Sequence, residues 1–437
     1  MLKESVKRLR GGRAFGGQFI GEIQAIVSKC FARIGVSHAF GYQAWLILLI
    51  VFSLTMTVMM PIASYSQTQP RISEIRGVWL TNVDSQVLFD RDRLSQTLQT
   101  LKQLNFNVVY PTVWNAGYTL YPSTVAKQTF GQAIDPTPGL QGRDMLKEAV
   151  AEGHKQGMGV IPWLEFGFMA PANSDLAKLH PDWLTQRSDG SKIWKEGVEE
   201  RVWLNPFLPQ VQQFMLDLIA EIVTKYDIDG IQFDDHFSLP AEMGYDPYTI
   251  ALYIKDNPGV TAADANPQET YWVRWRADKI NEFMRRVSHA VKTRKPKCII
   301  SVSPNPLHFS LPAFLQDWFT WERENLIDEL ILQVYRNDLK RFNAELQRTE
   351  VKLAQSHIPV AIGIMTGLKG SPSPIEQIQT QVQAVRDRGF AGVSFFFYES
   401  LWNFGKEPVS ERQSTFKKLF PTSAERPDVL DGWKPRI

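Results

Sequence analysis

From Glu74 onward, short apolar runs alternate with longer segments whose apolar positions recur every three or four residues. The runs are Ile75–Asp84, Asn107–Trp114, Gly159–Phe166, Gly230–Phe237, Cys298–Asn305, Glu329–Arg336, Pro359–Met365 and Gly392–Glu399. They are continuously apolar rather than alternating, the pattern of parallel strands covered on both faces. Helical periodicity fills the gaps, at Arg91–Leu104, Asp144–Gln156, Pro209–Lys225, Tyr271–Thr293, Asp317–Asn325, Asp338–Ala354 and Pro374–Arg388. Eight strands alternating with helices predict an α/β protein with a (β/α)8 TIM barrel. An open doubly wound sheet fits less well, because the first strand, Arg76-Gly-Val-Trp-Leu-Thr-Asn-Val-Asp84, has no G-x-G-x-x-G after it.

The spacing between runs is lopsided. Long polar stretches follow Trp114, Phe166 and His236, whereas Leu104-Asn-Phe-Asn107 and Arg388-Gly-Phe-Ala-Gly392 are tight. Mass therefore gathers over the C-terminal ends of the strands, the face where barrel enzymes hold their sites. Upstream, Trp45–Ile62 is apolar and uncharged, and basic residues precede it. That is the pattern of a signal peptide or signal anchor, with its basic side in the cytoplasm. The expected division is a basic region over 1–43, the signal or anchor over 44–66 and a linker over 67–73. The barrel follows over 74–405, and a C-terminal cap and tail over 406–437. The body is expected outside the cytoplasmic membrane, in the periplasm or at the extracellular face, held by that segment wherever it stays uncleaved.

Charge narrows the partners. The formal net charge is +2, but residues 1–43 hold seven basic and two acidic residues, leaving about −3 on the remainder. A body without basic excess cannot track a phosphate backbone, which argues against nucleic acid. Cys30 and Cys298 flank the apolar segment, so no disulfide is expected. The chain holds 13 Trp, 12 Tyr and 26 Phe, and the aromatics at strand ends suit stacking on sugar rings.

Chemistry concentrates at a few strand ends. Tyr226–Phe237 finishes in Asp234-Asp235-His236, and carboxylates beside an apolar sheet need a partner, a metal or a catalytic role. Glu165 ends the third strand and Glu399 the eighth, while Asp84 after the first has turn capping as its simplest use. Two carboxylates flanking a bond are what glycoside hydrolysis requires: one protonates the leaving oxygen, and the other attacks, activates water or stabilises positive charge. Asp234 is expected as nucleophile, base or stabiliser, and Glu165 as leading proton donor. Asp235 and Glu399 stand in reserve. Neighbouring strand residues face opposite sides, so Asp234 and His236 share a face that Asp235 does not. That spacing disfavours a metal centre, and neither metal nor cofactor is assigned. G-x-S-x-G and His-x-x-x-His patterns are absent. Trp79, Trp114, Trp163, Tyr335, Tyr398 and Trp402 are expected as platforms for sugar faces. Asn82, Asn115, His236, Asn305 and Gln333 are the polar groups expected to bind substrate.

Several stretches together resemble the bacterial glycosyl hydrolase-like family 10. They are Arg76-Gly-Val-Trp-Leu-Thr-Asn82, Asn107-Val-Val-Tyr-Pro-Thr-Val-Trp114, Trp203-Leu-Asn-Pro206, Tyr226–Phe237 and Leu332-Gln-Val-Tyr335. The resemblance spans roughly residues 74–400. It implies a glycosidase-like barrel in the bacterial envelope, acting on peptidoglycan glycan strands or other polysaccharides. Chitinase-like barrels place an acid on every second residue of the fourth strand, as Asp-Gly-x-Asp-x-Asp-x-Glu. Here those positions read Gln232, Asp234 and His236, so the proton donor of that pattern is missing and must come from elsewhere. A non-catalytic glycan-binding barrel and a metal-dependent hydrolase or deacetylase are the alternatives.

Overall fold

A computed structural model describes residues 72–266, 269–429 and 433. The expected basic and signal or anchor segments lie outside it, as does the expected linker up to residue 71. Among the described residues, no helix is long and apolar enough to cross a membrane.

Eight parallel staves close into a barrel. They are β1 (Ile75–Leu80), β2 (Val108–Asn115), β3 (Gly159–Val160 and Trp163–Leu164) and β4 (Gly230–Asp234). β5 (Ile299–Ser303), β6 (Glu329–Gln333), β7 (Val360–Met365) and β8 (Gly392–Phe396) complete it. Closure runs through β1, which pairs with β2 at Gly77↔Val108 and with β8 at Ile75↔Gly392. The third run is not one strand as expected: it breaks at Ile161–Pro162, where proline has no N–H to donate. β1, β4 and β8 also end before the expected residues, so Asp84, Asp235 and Glu399 all lie beyond strand ends. The segment predicted as one helix over 338–354 is two, Leu339–Leu346 and Thr349–His357.

The helices start where the loops supply caps. Asp90, Asp144, Asp317 and Asp338 each accept from the backbone N–H three residues on, satisfying donors that the helix leaves unpaired. The main core lies between the helices and the outer barrel wall, and a second cluster fills the interior. Trp79, Tyr110, Ile161, Trp163 and Ile331 belong to that second cluster. Gly77 makes room there: a Cβ at this position would stand 2.7 Å from the Tyr110 ring.

Two ends of the barrel differ. At the N-terminal end the tail folds back, with Ser73 bridged to Glu425 and Asn107 donating to the Ala424 carbonyl at 3.0 Å. A concavity of about 860 Å³ lies at that end, lined by Lys102, Asp229, Lys295 and tail residues, and none of the expected site residues reaches it. At the C-terminal end the long loops carry their own structure. The loop after β3 holds a three-stranded antiparallel sheet of Met169–Pro171, Trp194–Glu196 and Glu199–Trp203, and the loop after β4 holds the helix Pro247–Asp256.

Candidate active site

Glu165 directly follows β3 and is 7% exposed. Its side chain turns toward β1 and β2. Thr112 Oγ1 donates to Oε2 at 2.8 Å and Asn115 Nδ2 at 2.7 Å. Thr81 Oγ1 lies 3.0 Å from Oε2 and 3.1 Å from Oε1. That hydroxyl already accepts from Val83 N–H, so its proton points at the glutamate. Burial lifts the Glu165 carboxyl above the ordinary range, against the pull of these donors and of His236, which favour its charged form. No Arg or Lys pairs with it among the described residues.

Asp234 ends β4 and faces the opposite way, toward β5 and β6. Gln333 Nε2 donates to its Oδ1 at 2.7 Å and is fixed in turn by the Ser303 carbonyl at 2.8 Å. Its other oxygen lies 3.4 Å from His236 Nδ1, and the same nitrogen is 3.2 Å from Asp235 Oδ1. Asn305 holds the second oxygen of Asp235 at 2.6 Å. All three residues therefore converge, which corrects the expectation that Asp235 faces away. The strand has ended at Asp234, and the turn that follows releases Asp235 from alternation. Their ligand-type atoms lie within 4.8 Å of one another.

Charge is unevenly shared in this cluster. Burial, and then the charge of Asp235, push the Asp234 carboxyl well above the usual range. Burial works against the imidazolium of His236, but Asp235, Asp234 and Glu196 outweigh it and lift the ring to about 10. Burial and the neighbouring charge thus favour the protonated form of Asp234, while the surrounding acids favour the imidazolium of His236. Tyr335 ties the two sides together: after burial, the charges of Asp234, Asp235 and Glu165 all hold its phenol well above its ordinary value. The three acids thus face one mouth.

Other expected residues fall differently. Asn115, Asn305 and Gln333 hold carboxylates instead of being left for substrate. Trp79, Trp114 and Trp163 are 1–2% exposed and fill the barrel or its wall, so they offer no open face. Trp79 Nε1 donates to Gln232, and Trp114 Nε1 to the Gly167 carbonyl. Tyr398 and Trp402 pack into the helix-side core. Glu399 lies in the short helix Tyr398–Trp402, bonded to Ser85 and Asn403, a set that it shares with neither Glu165 nor Asp234. Asp84 is exposed, with Lys369 at 4.0 Å. Asn82 Oδ1 and Trp163 Nε1 are buried without a hydrogen-bond partner.

Sequence reasoning missed Thr81, Thr112 and Glu196. The two threonines had a signal, since each is polar within or just after an apolar strand. Glu196 had none. It reaches His236 Nε2 at 4.0 Å from a hairpin inside a long loop.

With this geometry in view, comparison with known proteins is decisive for the family. The family model of glycosyl hydrolase-like 10 matches residues 74–383. The chain belongs to this family. The glycosyl hydrolase DigH of Escherichia coli strain K12 is 25% identical over 356 residues, covering 71% of this chain and 77% of that protein. The glycosyl hydrolase YngK of Bacillus subtilis strain 168 is 23% identical over 438 residues, covering 87% and 78%. Among solved structures, the PgaB (BpsB) glycoside hydrolase domain from Bordetella bronchiseptica shares the fold. Its TM-score is 0.56 at 15% identity, over 74% of this chain and 94% of that one. Family and fold support a glycoside hydrolase-like function.

Proposed function

We propose that the protein is an exported glycoside hydrolase that cleaves a glycosidic bond in a cell-wall glycan, either a peptidoglycan strand or a related polysaccharide. The observation that carries this reading is a pair of buried acids at one mouth, Glu165 held by neutral donors and Asp234 by Gln333 and the shared His236, with no Arg or Lys on either among the described residues. Burial raises both carboxyls above the ordinary range in spite of these partners, as expected of acids poised for proton transfer. Asp234, whose carboxyl is pushed toward its protonated form, is assigned as the acid that protonates the leaving oxygen. Glu165, whose donors favour the charged form, supports the positive charge that develops on the sugar. This reverses the roles expected from sequence. Asn82 Oδ1, which has no hydrogen-bond partner just past the end of β1, is a group left for a sugar hydroxyl. Export, and membrane attachment where the segment is retained, rest on the apolar stretch Trp45–Ile62.

The test is release of reducing ends from purified glycan strands stripped of peptide. Asp234→Asn is expected to abolish that release yet retain cleavage of an aryl glycoside whose leaving group needs no proton. Glu165→Gln is expected to lose both. Equal losses on the two substrates in Asp234→Asn would remove the acid role. Strands retained on the wild-type protein with no new reducing ends would favour the non-catalytic glycan-binding barrel.

The converging Asp234, Asp235 and His236 favour a second reading, a metal-dependent hydrolase. Its weakness lies in the imidazole. Nδ1, the nitrogen nearest both carboxylates, donates to the Glu165 carbonyl at 3.1 Å, so its lone pair is unavailable to a cation. Activity is therefore expected to survive exhaustive chelation, and inactivation reversed by added metal would decide for the second reading.

A further inference from the structure

We infer that a strip of aromatic rings, running outward from His236 along the hairpin after β3 to the helix after β5, holds a long polysaccharide on one side of the carboxylates. The inference rests on the glycoside hydrolase reading and adds a preference for polymer over short fragments. Trp203 lies 6.1 Å from the His236 ring, Trp194 5.5 Å from Trp203, Phe314 6.1 Å from Trp194, and Phe309 5.6 Å from Phe314. Exposure rises along the series: Trp203 is buried, Trp194 and Phe314 are half-buried, and Phe309 is 45% exposed.

Strand geometry explains the placement. Trp194 and Glu196 are two residues apart on one strand and share a face, and Arg201 pairs with Trp194 across the hairpin. Glu196 reaches His236, and Arg201 sits over the Phe166 ring at 5.3 Å, so this face looks into the mouth. Trp194 is therefore directed toward the same site. The three loops concerned are stitched together: Trp203 Nε1 donates to the Ser238 carbonyl at 2.8 Å, and Leu239 N–H to the Phe314 carbonyl at 3.0 Å. A strip fixed in advance loses little entropy on binding.

The occupant is a sugar chain because of what borders the strip. Its inner end is the carboxylate cluster itself, so any ligand on it continues into the cleavage site. A pyranose presents an apolar C–H face to a ring and hydroxyls to water, which suits half-exposed aromatics beside Glu196 and Arg201. The inner rings brace one another edge to face, at 76° between Trp194 and Trp203 and 68° between Trp194 and Phe314, so the half-buried Trp194 and the exposed Phe309 are the rings left to meet sugars.

The experiment measures retention of stripped glycan strands, sorted into disaccharides and long chains, by Asp234→Asn protein that cannot consume them. Trp194→Ala and, separately, Phe309→Ala are introduced into that background, with Trp194→Phe as the conservative control. Each alanine is expected to cut the ratio of long-chain to disaccharide affinity about tenfold, one stacking contact's worth, and Trp194→Phe to restore most of it. Phe309 stands on an exposed helix face, so its variant keeps the test open if Trp194→Ala unsettles the hairpin. Long-chain retention unchanged in both alanine variants overturns the strip while leaving the hydrolase reading intact. Retention that depends on both residues, beside a wild-type protein that releases no reducing ends, upholds the strip and overturns the hydrolase reading. Failure to retain long chains at all overturns both.

Discussion

Asp234 and Asp235 share one imidazolium, and their division of labour is open to titration. The charge of Asp235 helps to keep the proton on Asp234. An acid works in its protonated form, so activity is lost as pH rises through its pKa. Asp235→Asn removes that charge and lowers the pKa, and the alkaline limb of kcat/KM is expected to move to lower pH. A limb that stays in place would separate Asp235 from the chemistry. Thr112 gives the opposite case on the acidic side. Its hydroxyl donates to Glu165 and favours the carboxylate. Thr112→Val loses the donor, so Glu165 takes up its proton at higher pH. The acidic limb is expected to rise by about one pH unit, the value of one hydrogen bond to a buried charge. An acidic limb that holds its position would show that Glu165 does not set it.

Among the elements, the ends of β3 and β4 and the loops leaving them set this geometry. Gly167 lies where those loops cross, with φ at +51° and a virtual Cβ 2.3 Å from the His236 carbonyl oxygen. Gly167→Ala must push the two apart, and with them Glu165 from Asp234. A folded protein with kcat/KM down about 100-fold is expected, because misplacement by an ångström costs that much. Full activity would mean that the crossing is slack. The same elements show what a sequence reader can reach. Strands buried on both faces announce themselves as apolar runs, and acids at their ends stand out by type. Direction does not. Asn115, Asn305 and Gln333 read as sugar ligands because polar groups at a mouth suggest substrate, yet a buried carboxylate claims donors first. Trp79 and Trp163 read as platforms, yet the interior of an eight-stave barrel needs filling. Asp235 escapes the alternation of strand faces because the strand ends one residue before it, at Asp234.

Across the whole molecule, a polar chain runs down the inside of the barrel, away from the mouth. Trp79 Nε1 donates to Gln232 at 2.7 Å, Gln232 to Ser301 at 2.9 Å, and Ser301 to Glu329 at 2.9 Å. Tyr110 also donates to Glu329, at 3.2 Å. The chain ends in Arg426, which the folded-back tail inserts under the barrel against the second oxygen of Glu329. Glu329 is fully buried and Arg426 nearly so. A buried pair need not add stability over an apolar replacement, but removing one partner leaves a stranded charge. Arg426→Met is therefore expected to cost about 3–5 kcal/mol, read as a lower urea midpoint. Glu329→Gln in the same chain removes the stranded charge and should recover most of that loss. The catalytic pH profile should not move, because the pair lies at the far end from Asp234 and Glu165. If Arg426→Met alone were harmless, the tail would be a cover without a plug. If it shifted the pH profile, the polar chain would couple the two ends electrostatically, and the barrel interior would belong to the site rather than to its support.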